Sequence, residues 1–466
     1  MSFACPSFST SRHFTRRALL RTGSLGLLGV SLPKILQATS QYGGLRPPVR
    51  ARSVIFLFQW GGPSHLETFD MKPSADDGVR GPHRPMRSAC PDIEISERLP
   101  HTAAIMNKVS LVRSVHHTMT NHNSAGYYAL TGKAPPSDDQ RLRESIDLFP
   151  GYGSVASRLL DHQDAAMPSY VSYPHVISDG TPTPGQFASF LGKQHDPLFI
   201  PSDPNETGFN LPQFSLPEGL GPDRLRHRRG LQQLIDRQAR LMDFSAEARG
   251  LDDYYTKALT MLNSPRIRDA FNLAAEPEKM RDRYGRTTYG QGCLLARRLA
   301  ESGVRFTTCY FSDSIGGQKT DGGGWDTHGF NNTRMFPIIE NYHLPITDQT
   351  LPTLLLDLEQ RGMLDETLVV WMGEFGRTPK INANTSRDHW PHCYTVLLAG
   401  GGVKRGFVYG ASDETGSHPA DAPVTPDDIA ATIYYLMGVD PRSEITDAQG
   451  RPIMISSGQP ILELIA

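Results

Sequence analysis

The stretch Ser53-Val-Ile-Phe-Leu-Phe-Gln59, broken at once by Trp60-Gly61-Gly62-Pro63-Ser64-His65, sets the frame for the whole chain. Its apolar residues run without alternation, which suits a strand covered on both faces, as in a parallel sheet. Gly-Gly-Pro cannot continue a strand, so a loop begins there, at the carboxyl edge where open α/β sheets bind ligands. Outward from this point, 109–112, 304–311, 367–372 and 394–399 read as further strands. A polar loop, Asn121-His122-Asn123-Ser124-Ala125-Gly126, leads into helical turns that Gly132 closes. Residues 348–361 carry an apolar helical period ending at Gly362. Thr425-Pro426-Asp427-Asp428 supplies an N-cap, a first-turn proline and acidic residues to a helix ending near Met437. Strands alternating with helices predict a doubly wound, mostly parallel α/β domain over 46–466. Residues 133–300 interrupt the pattern: the first part is rich in proline and glycine, and 223–300 turns helical and charged. That block is expected to be a loop-rich and helical insertion, capping the sheet and covering the site.

The amino-terminal 45 residues have another character. Thr15-Arg16-Arg17-Ala18-Leu19-Leu20-Arg21 precedes a short apolar run containing glycines, up to Leu32. Paired arginines before such a run are the layout of a twin-arginine export signal. The run is well short of the roughly 20 residues that cross a bilayer. The alternative is the basic amphipathic start of a cytosolic protein; the lack of acidic residues in the first forty positions speaks against it. The segment around Ala38-Thr39-Ser40 is the best cleavage candidate, and an uncleaved signal would tether the chain to the membrane. The expected location is thus periplasmic or extracellular, with the twin-arginine translocase as export partner and no transmembrane span in the mature chain.

Composition narrows the function. The net charge is −2 and no basic stripe stands out, which argues against a nucleic-acid partner. Cys90, Cys293, Cys309 and Cys393 are widely spaced without a CxxC pair, so a zinc ribbon is excluded and a disulfide is left open.

Four strand-end loops concentrate polar groups. The first holds His65, Glu67 and Asp70; the second His122, Asn123 and Ser124; the third Trp325-Asp326-Thr327-His328-Gly329. The fourth comprises Glu374, Phe375 and Arg377, and further on Arg387, Asp388 and His389. Asp326 and His328, two apart in a glycine-rich turn, can point at one ion, and carboxylate with imidazole suits zinc or a similar divalent cation. Glu374 directly follows a buried strand, where a carboxylate needs a partner or a metal. Asp388 is either a ligand or the acceptor that orients a histidine. Each residue alone reads more readily as a structural hydrogen-bonding group; together, at successive sheet edges, they favour a metal or polar catalytic centre.

The motifs GGPSHLETFD (61–70), ALTG (129–132), GGWDTH (323–328), GEFGRTP (373–379) and RDHWP (387–391) resemble an exported family of the alkaline phosphatase and sulfatase superfamily, the domain of unknown function numbered 1501. The resemblance runs through TPDDIAATIYYLMGVDP (425–441), similar to the superfamily's last core helix. It implies an alkaline phosphatase/sulfatase-like fold and a hydrolase of phosphate or sulfate esters, with carbohydrate, lipid or other small-molecule substrates. It also implies one or two divalent ions, zinc by preference. Ser124 falls where phosphatases carry their nucleophile, and Asp326, His328, Glu374 and His389 fall at ligand positions. The chain departs from the pattern at Trp60-Gly61, where the superfamily has an aspartate ligand that only His65 or Asp70 could replace. It departs again at Glu374-Phe375, which replaces an Asp-His pair. Ser124-Ala-Gly-Tyr-Tyr is not the setting that generates formylglycine, which argues against a sulfatase of the usual type. Arg377 and Arg387 can clamp a tetrahedral anion, or pair with Glu374 or Asp388. Two functions therefore stand side by side: a metal-dependent ester hydrolase, and a degenerate binding or scaffolding protein on the same fold.

Overall fold

The computed structural model describes residues 47–160, 167–209, 264–311, 323–330 and 334–466; the signal segment 1–45 and the stretch 223–263 of the expected cap lie outside them. The eight strands of the central sheet are β1 (Ser53–Phe58), β2 (Val109–Val115), β3 (Tyr170–Tyr173), β4 (Leu198–Phe199), β5 (Phe306–Tyr310), β6 (Thr367–Met372), β7 (Tyr394–Ala399) and β8 (Phe407–Tyr409). Their order across the sheet is β8-β2-β7-β6-β1-β5-β3-β4. Strand β1 lies at the centre, parallel to β6 on one side and β5 on the other. Only β7 runs against its neighbours. The expected mostly parallel α/β sheet is what the chain builds.

The unbroken apolar run of β1 has a simple cause, since every residue of it is buried. Ile55 and Leu57 belong to one core with helix α3 (Thr288–Glu301) and helix α4 (Leu344–Gln360). Val54, Phe56 and Phe58 belong to the opposite core with α2 (Tyr152–Leu159) and α5 (Pro426–Leu436). Each large side chain so buried contributes roughly 1.5–3 kcal/mol. A strand that must satisfy two cores has no polar face to alternate. Helix α5 starts as its sequence indicates: Thr425 and Asp428 form a reciprocal capping box and Pro426 occupies the first turn. Gly132 closes α1 (His122–Thr131) in the left-handed conformation, φ 65°. That helix begins earlier than its sequence suggested, so the polar residues His122, Asn123 and Ser124 form its first turn.

The block 133–300 corrects the sequence reading. It was expected to lie off the sheet, yet it supplies β3 and β4, and α2 and α3 on opposite faces. Cys90, Cys293, Cys309 and Cys393 are free thiols. No helix among the described residues is long and apolar enough to cross a membrane.

One buried group makes stability depend on pH. His343 is 1 % exposed, with Trp325 and Phe311 rings 4.8 and 5.3 Å from its own. Burial pushes its imidazole down from 6.5 to about 3. The folded chain therefore refuses a proton that the unfolded chain accepts. The associated stability is complete above pH 6.5 and is lost as pH falls toward 3. Thermal melts between about pH 6 and pH 4 should fall less steeply for His343→Phe than for the parent; parallel curves would remove His343 from the account.

Candidate metal centre

Strands β1, β2, β5 and β6 all deliver their carboxyl ends to one edge of the sheet, and β7, running the other way, brings its amino end there. Five segments thus meet: 60–65, 116–122, 323–330, 373–377 and 387–392. Close approach of the first and third depends on Gly61, at φ 95°. A Cβ there would stand 2.2 Å from the Asp326 backbone nitrogen. The Trp325 amide donates to the Trp60 carbonyl at 2.8 Å and joins these loops. The Arg377 guanidinium, fully buried, fastens the rest: it donates to the carbonyls of Gly61, Gly62 (3.0 Å), Trp325 (3.2 Å) and Arg387 (3.2 Å).

At the meeting point three imidazoles face one carboxylate. The partner of each ring assigns its tautomer. His389 Nδ1 lies 2.8 Å from the Thr120 carbonyl, which can only accept, so Nδ1 carries the proton. His122 Nδ1 donates to Glu374 Oε1 at 2.9 Å, and His328 Nδ1 to Asp388 Oδ1 at 3.0 Å. With each ring neutral and its proton on Nδ1, all three Nε2 lone pairs point inward. His328 Nε2 is 2.9 Å from Asp326 Oδ1 and 2.9 Å from His389 Nε2; His389 Nε2 is 3.1 Å from Asp326 Oδ1. His122 Nε2 stands 3.4 Å from Asp326 Oδ2 with no hydrogen bond of good geometry. Ligand atoms of His122, Asp326 and His389 all lie within 4.8 Å of one another, an arrangement that could hold a metal ion. Lone pairs crowded in this way repel unless a cation sits among them.

The electrostatics agree. Three carboxylates, Asp326, Glu374 and Asp388, belong to the cluster, and the guanidinium bonded within it is Arg377, 2.8 Å from Asp326 Oδ1. With neutral imidazoles the centre keeps excess negative charge, which a divalent cation balances. Burial opposes ionisation of Asp326, but Arg377 and the three histidines outweigh it and hold its carboxyl well below the usual range. Burial drives His389 down to about 3, the neutral form a metal requires. Burial also works against charge on His122, yet Asp326 and Glu374 raise it to about 9. With no cation present, a proton takes that place. Apolar rings wall the group: Phe375 stacks on His389 at 4.2 Å, and Trp60 lies 4.9 Å from His122.

Of the residues singled out in the sequence, Asp326, His328, Glu374 and His389 come together here. Glu374 stands behind His122, accepting from it and from the Gly61 amide at 2.8 Å, while its Oε2 is buried without a hydrogen-bond partner among the described residues. His65 does not join: its Nε2 bonds to the Gly416 carbonyl at 2.8 Å. Asp70 accepts from Ser412 and Lys72, so it does not replace the missing aspartate. Neither arginine is placed to clamp an anion. Arg377 is committed to Asp326 and four carbonyls, and Arg387 is buried against Glu67, 2.6 Å away. Ser124 is buried too, donating to Asp138 Oδ1 at 2.6 Å and to the Asn121 carbonyl at 3.3 Å, an arrangement that ties up a nucleophilic hydroxyl. The residue missed was His122. Its signal was present, a histidine in the polar loop after β2, but the neighbouring Ser124 drew the functional reading.

Residues 51–465 match the model of a family described as a protein of unknown function, DUF1501. No curated protein matches the chain in sequence. Among solved structures the chain is similar to the PsFucS1 sulfatase from Pseudoalteromonas sp., at 13% identity and a TM-score of 0.38, over 88% of this chain and 70% of that one. It is similar to a protein of the alkaline phosphatase superfamily from Vibrio parahaemolyticus at 10% identity and a TM-score of 0.39, over 84% and 69%. It is also similar to the phosphonate monoester hydrolase SpPMH from Silicibacter pomeroyi at 12% identity and a TM-score of 0.34, over 90% and 76%.

Proposed function

We propose, from the premise that the chain belongs to the DUF1501 family, that it is an exported hydrolase of phosphate or sulfate esters built around a divalent cation. His122, Asp326 and His389 hold that cation, with His328 beside them. The observation that carries this reading is the inward convergence of three Nε2 lone pairs on one carboxylate, each ring locked from behind by an acceptor. Two nitrogen ligands and an oxygen ligand are a protein donor set used by catalytic zinc sites. Such an ion supplies Lewis acidity toward a phosphoryl or sulfuryl oxygen and makes water a usable nucleophile near neutral pH. The chain's own residues do the rest. Glu374 and the Thr120 carbonyl set the orientation of two ligands, Arg377 keeps Asp326 ionised, and Phe375 and Trp60 limit solvent at the rings. Water is the attacking group in this reading, because Ser124 is spent on Asp138. The paired arginines at Arg16 and Arg17 fit export of an already folded and loaded chain by the twin-arginine translocase, since the site draws on five distant segments.

Elemental analysis of the purified chain, beside a panel of nitrophenyl phosphate, phosphodiester and sulfate esters, tests this. About one divalent ion per chain and turnover of at least one ester class are expected. Ser124→Ala should keep at least roughly a tenth of that turnover, whereas a serine nucleophile would lose it by several orders of magnitude. An ion without turnover of any ester would favour the binding or scaffolding alternative. A chain without an ion would remove the hydrolase reading.

A further inference from the structure

We infer that Asp138, a residue outside the cluster, is the positioning residue of the metal centre; the inference rests on the reading just given. Its carboxylate gathers four donors from the segment that enters α1. Oδ2 accepts from the Thr120 amide at 2.9 Å and the Thr120 hydroxyl at 2.6 Å. Oδ1 accepts from the Asn121 amide at 3.0 Å and the Ser124 hydroxyl at 2.6 Å.

That segment controls two ligands by different routes. His122 is the first residue of α1, directly after the two amides that Asp138 holds. His389, on a separate chain segment, is oriented by the Thr120 carbonyl at 2.8 Å. Among the described residues Asn121, the N-cap residue, makes no side-chain cap bond; Asp138 instead accepts from the amide of Asn121 itself and from that of Thr120 before it. A negative charge at a helix amino terminus is favourable in itself. Burial of part of the carboxyl opposes its ionisation, but the hydrogen bonds from Ser124, Thr120 and Asn121 outweigh it and keep the group ionised. One carboxylate therefore fixes the angle at which His122 Nε2 and His389 Nε2 approach Asp326. Ser124 acquires a role here: its hydroxyl is the fourth donor of this clamp.

Groups that hold ligands from behind typically govern metal affinity by 10- to 100-fold. The experiment is titration of the metal-free chain with Co²⁺, read by its visible absorption bands. Asp138→Ala should bind Co²⁺ about 10- to 100-fold more weakly, with altered band positions that report a changed ligand geometry. Asp138→Asn, which keeps acceptor capacity but loses the charge, should fall between Ala and the parent. Thr287→Ala is the control. It removes the N-cap bond that Thr287 accepts from the Gly290 amide on α3, a helix-start hydrogen bond of the same kind, without touching the segment at Thr120. It should leave affinity and spectrum unchanged. Parent-like binding and bands in both Asp138 variants would overturn the clamp while leaving the metal site intact. An equal loss in Thr287→Ala would also overturn it, by showing general destabilisation. A parent chain that binds no Co²⁺ would bring down the metal reading and this inference with it.

Discussion

Asp326→Asn is expected to empty the metal centre while leaving the fold in place. Asp326 is the one carboxylate at which all the inward-facing groups meet: Arg377, His328 and His389 at Oδ1, and His122 at Oδ2. An amide keeps the shape, and its oxygen can still accept from Arg377, so the core around it should survive. The negative charge is gone, however, and an NH₂ group now points at lone pairs or at the ion. Loss of a charged ligand exceeds the 10- to 100-fold cost of losing a group behind a ligand, so affinity should fall by more than about 100-fold. Ester turnover should vanish with it. Equilibrium dialysis followed by elemental analysis reads the first effect, and the ester panel reads the second. Retention of a full equivalent of metal by Asp326→Asn would place the ion elsewhere. Truncation to alanine is the poorer test, because it leaves the buried Arg377 guanidinium without its charge partner.

The largest expected effect on stability lies at Glu67. Its carboxylate meets Arg387 in a forked pair, Nη2 to Oε1 at 2.6 Å and Nε to both oxygens at 3.1 Å, with neither side chain significantly exposed. Glu67→Ala leaves a guanidinium buried with only carbonyls of Val79, Thr378 and Pro379 to face. Removing one member of such a pair costs about 3–5 kcal/mol, because the other charge stays behind uncompensated. Urea unfolding of the variant should show that loss as a lower midpoint at similar slope. Replacing both residues, as in Glu67→Leu with Arg387→Met, should recover much of it, since apolar groups of similar size often substitute for buried pairs. A loss below about 1 kcal/mol in the single variant would mean that water reaches Arg387. Because the pair joins the first loop to the segment carrying His389, a weaker metal site is expected as a secondary result.

What could be read from the sequence follows from how far apart the interacting residues are. Strands β1, β6 and β7 declared themselves because each is buried on both faces and so carries an uninterrupted apolar run. Strands β3 and β4 did not: they span four and two residues within a stretch rich in proline and glycine, too short for any period to show. Asp326 and His328 were visible as a pair because two positions separate them. His122 was not, because the group that locks its tautomer, Glu374, is 252 residues away. The same distance effect governs the arginines. Their residue type announced an ionic role, but the choice between an anion and a carboxylate was settled by Asp326 and Glu67, neither of which is near them in the chain. Phe375 stands where the superfamily pattern led us to expect a histidine. In the structure it is a wall of the centre, stacked on His389, which a list of missing ligands could not convey.

His122→Ala provides the most direct test of the central claim, since this residue joins the centre only through the three-dimensional arrangement. Metal content of the purified parent and variant, measured side by side with folding checked by circular dichroism, is the required measurement. About one divalent ion per parent chain is expected, and a small fraction of that in the variant, with both folded. Equal metal in the two proteins, or none in the parent, would contradict it.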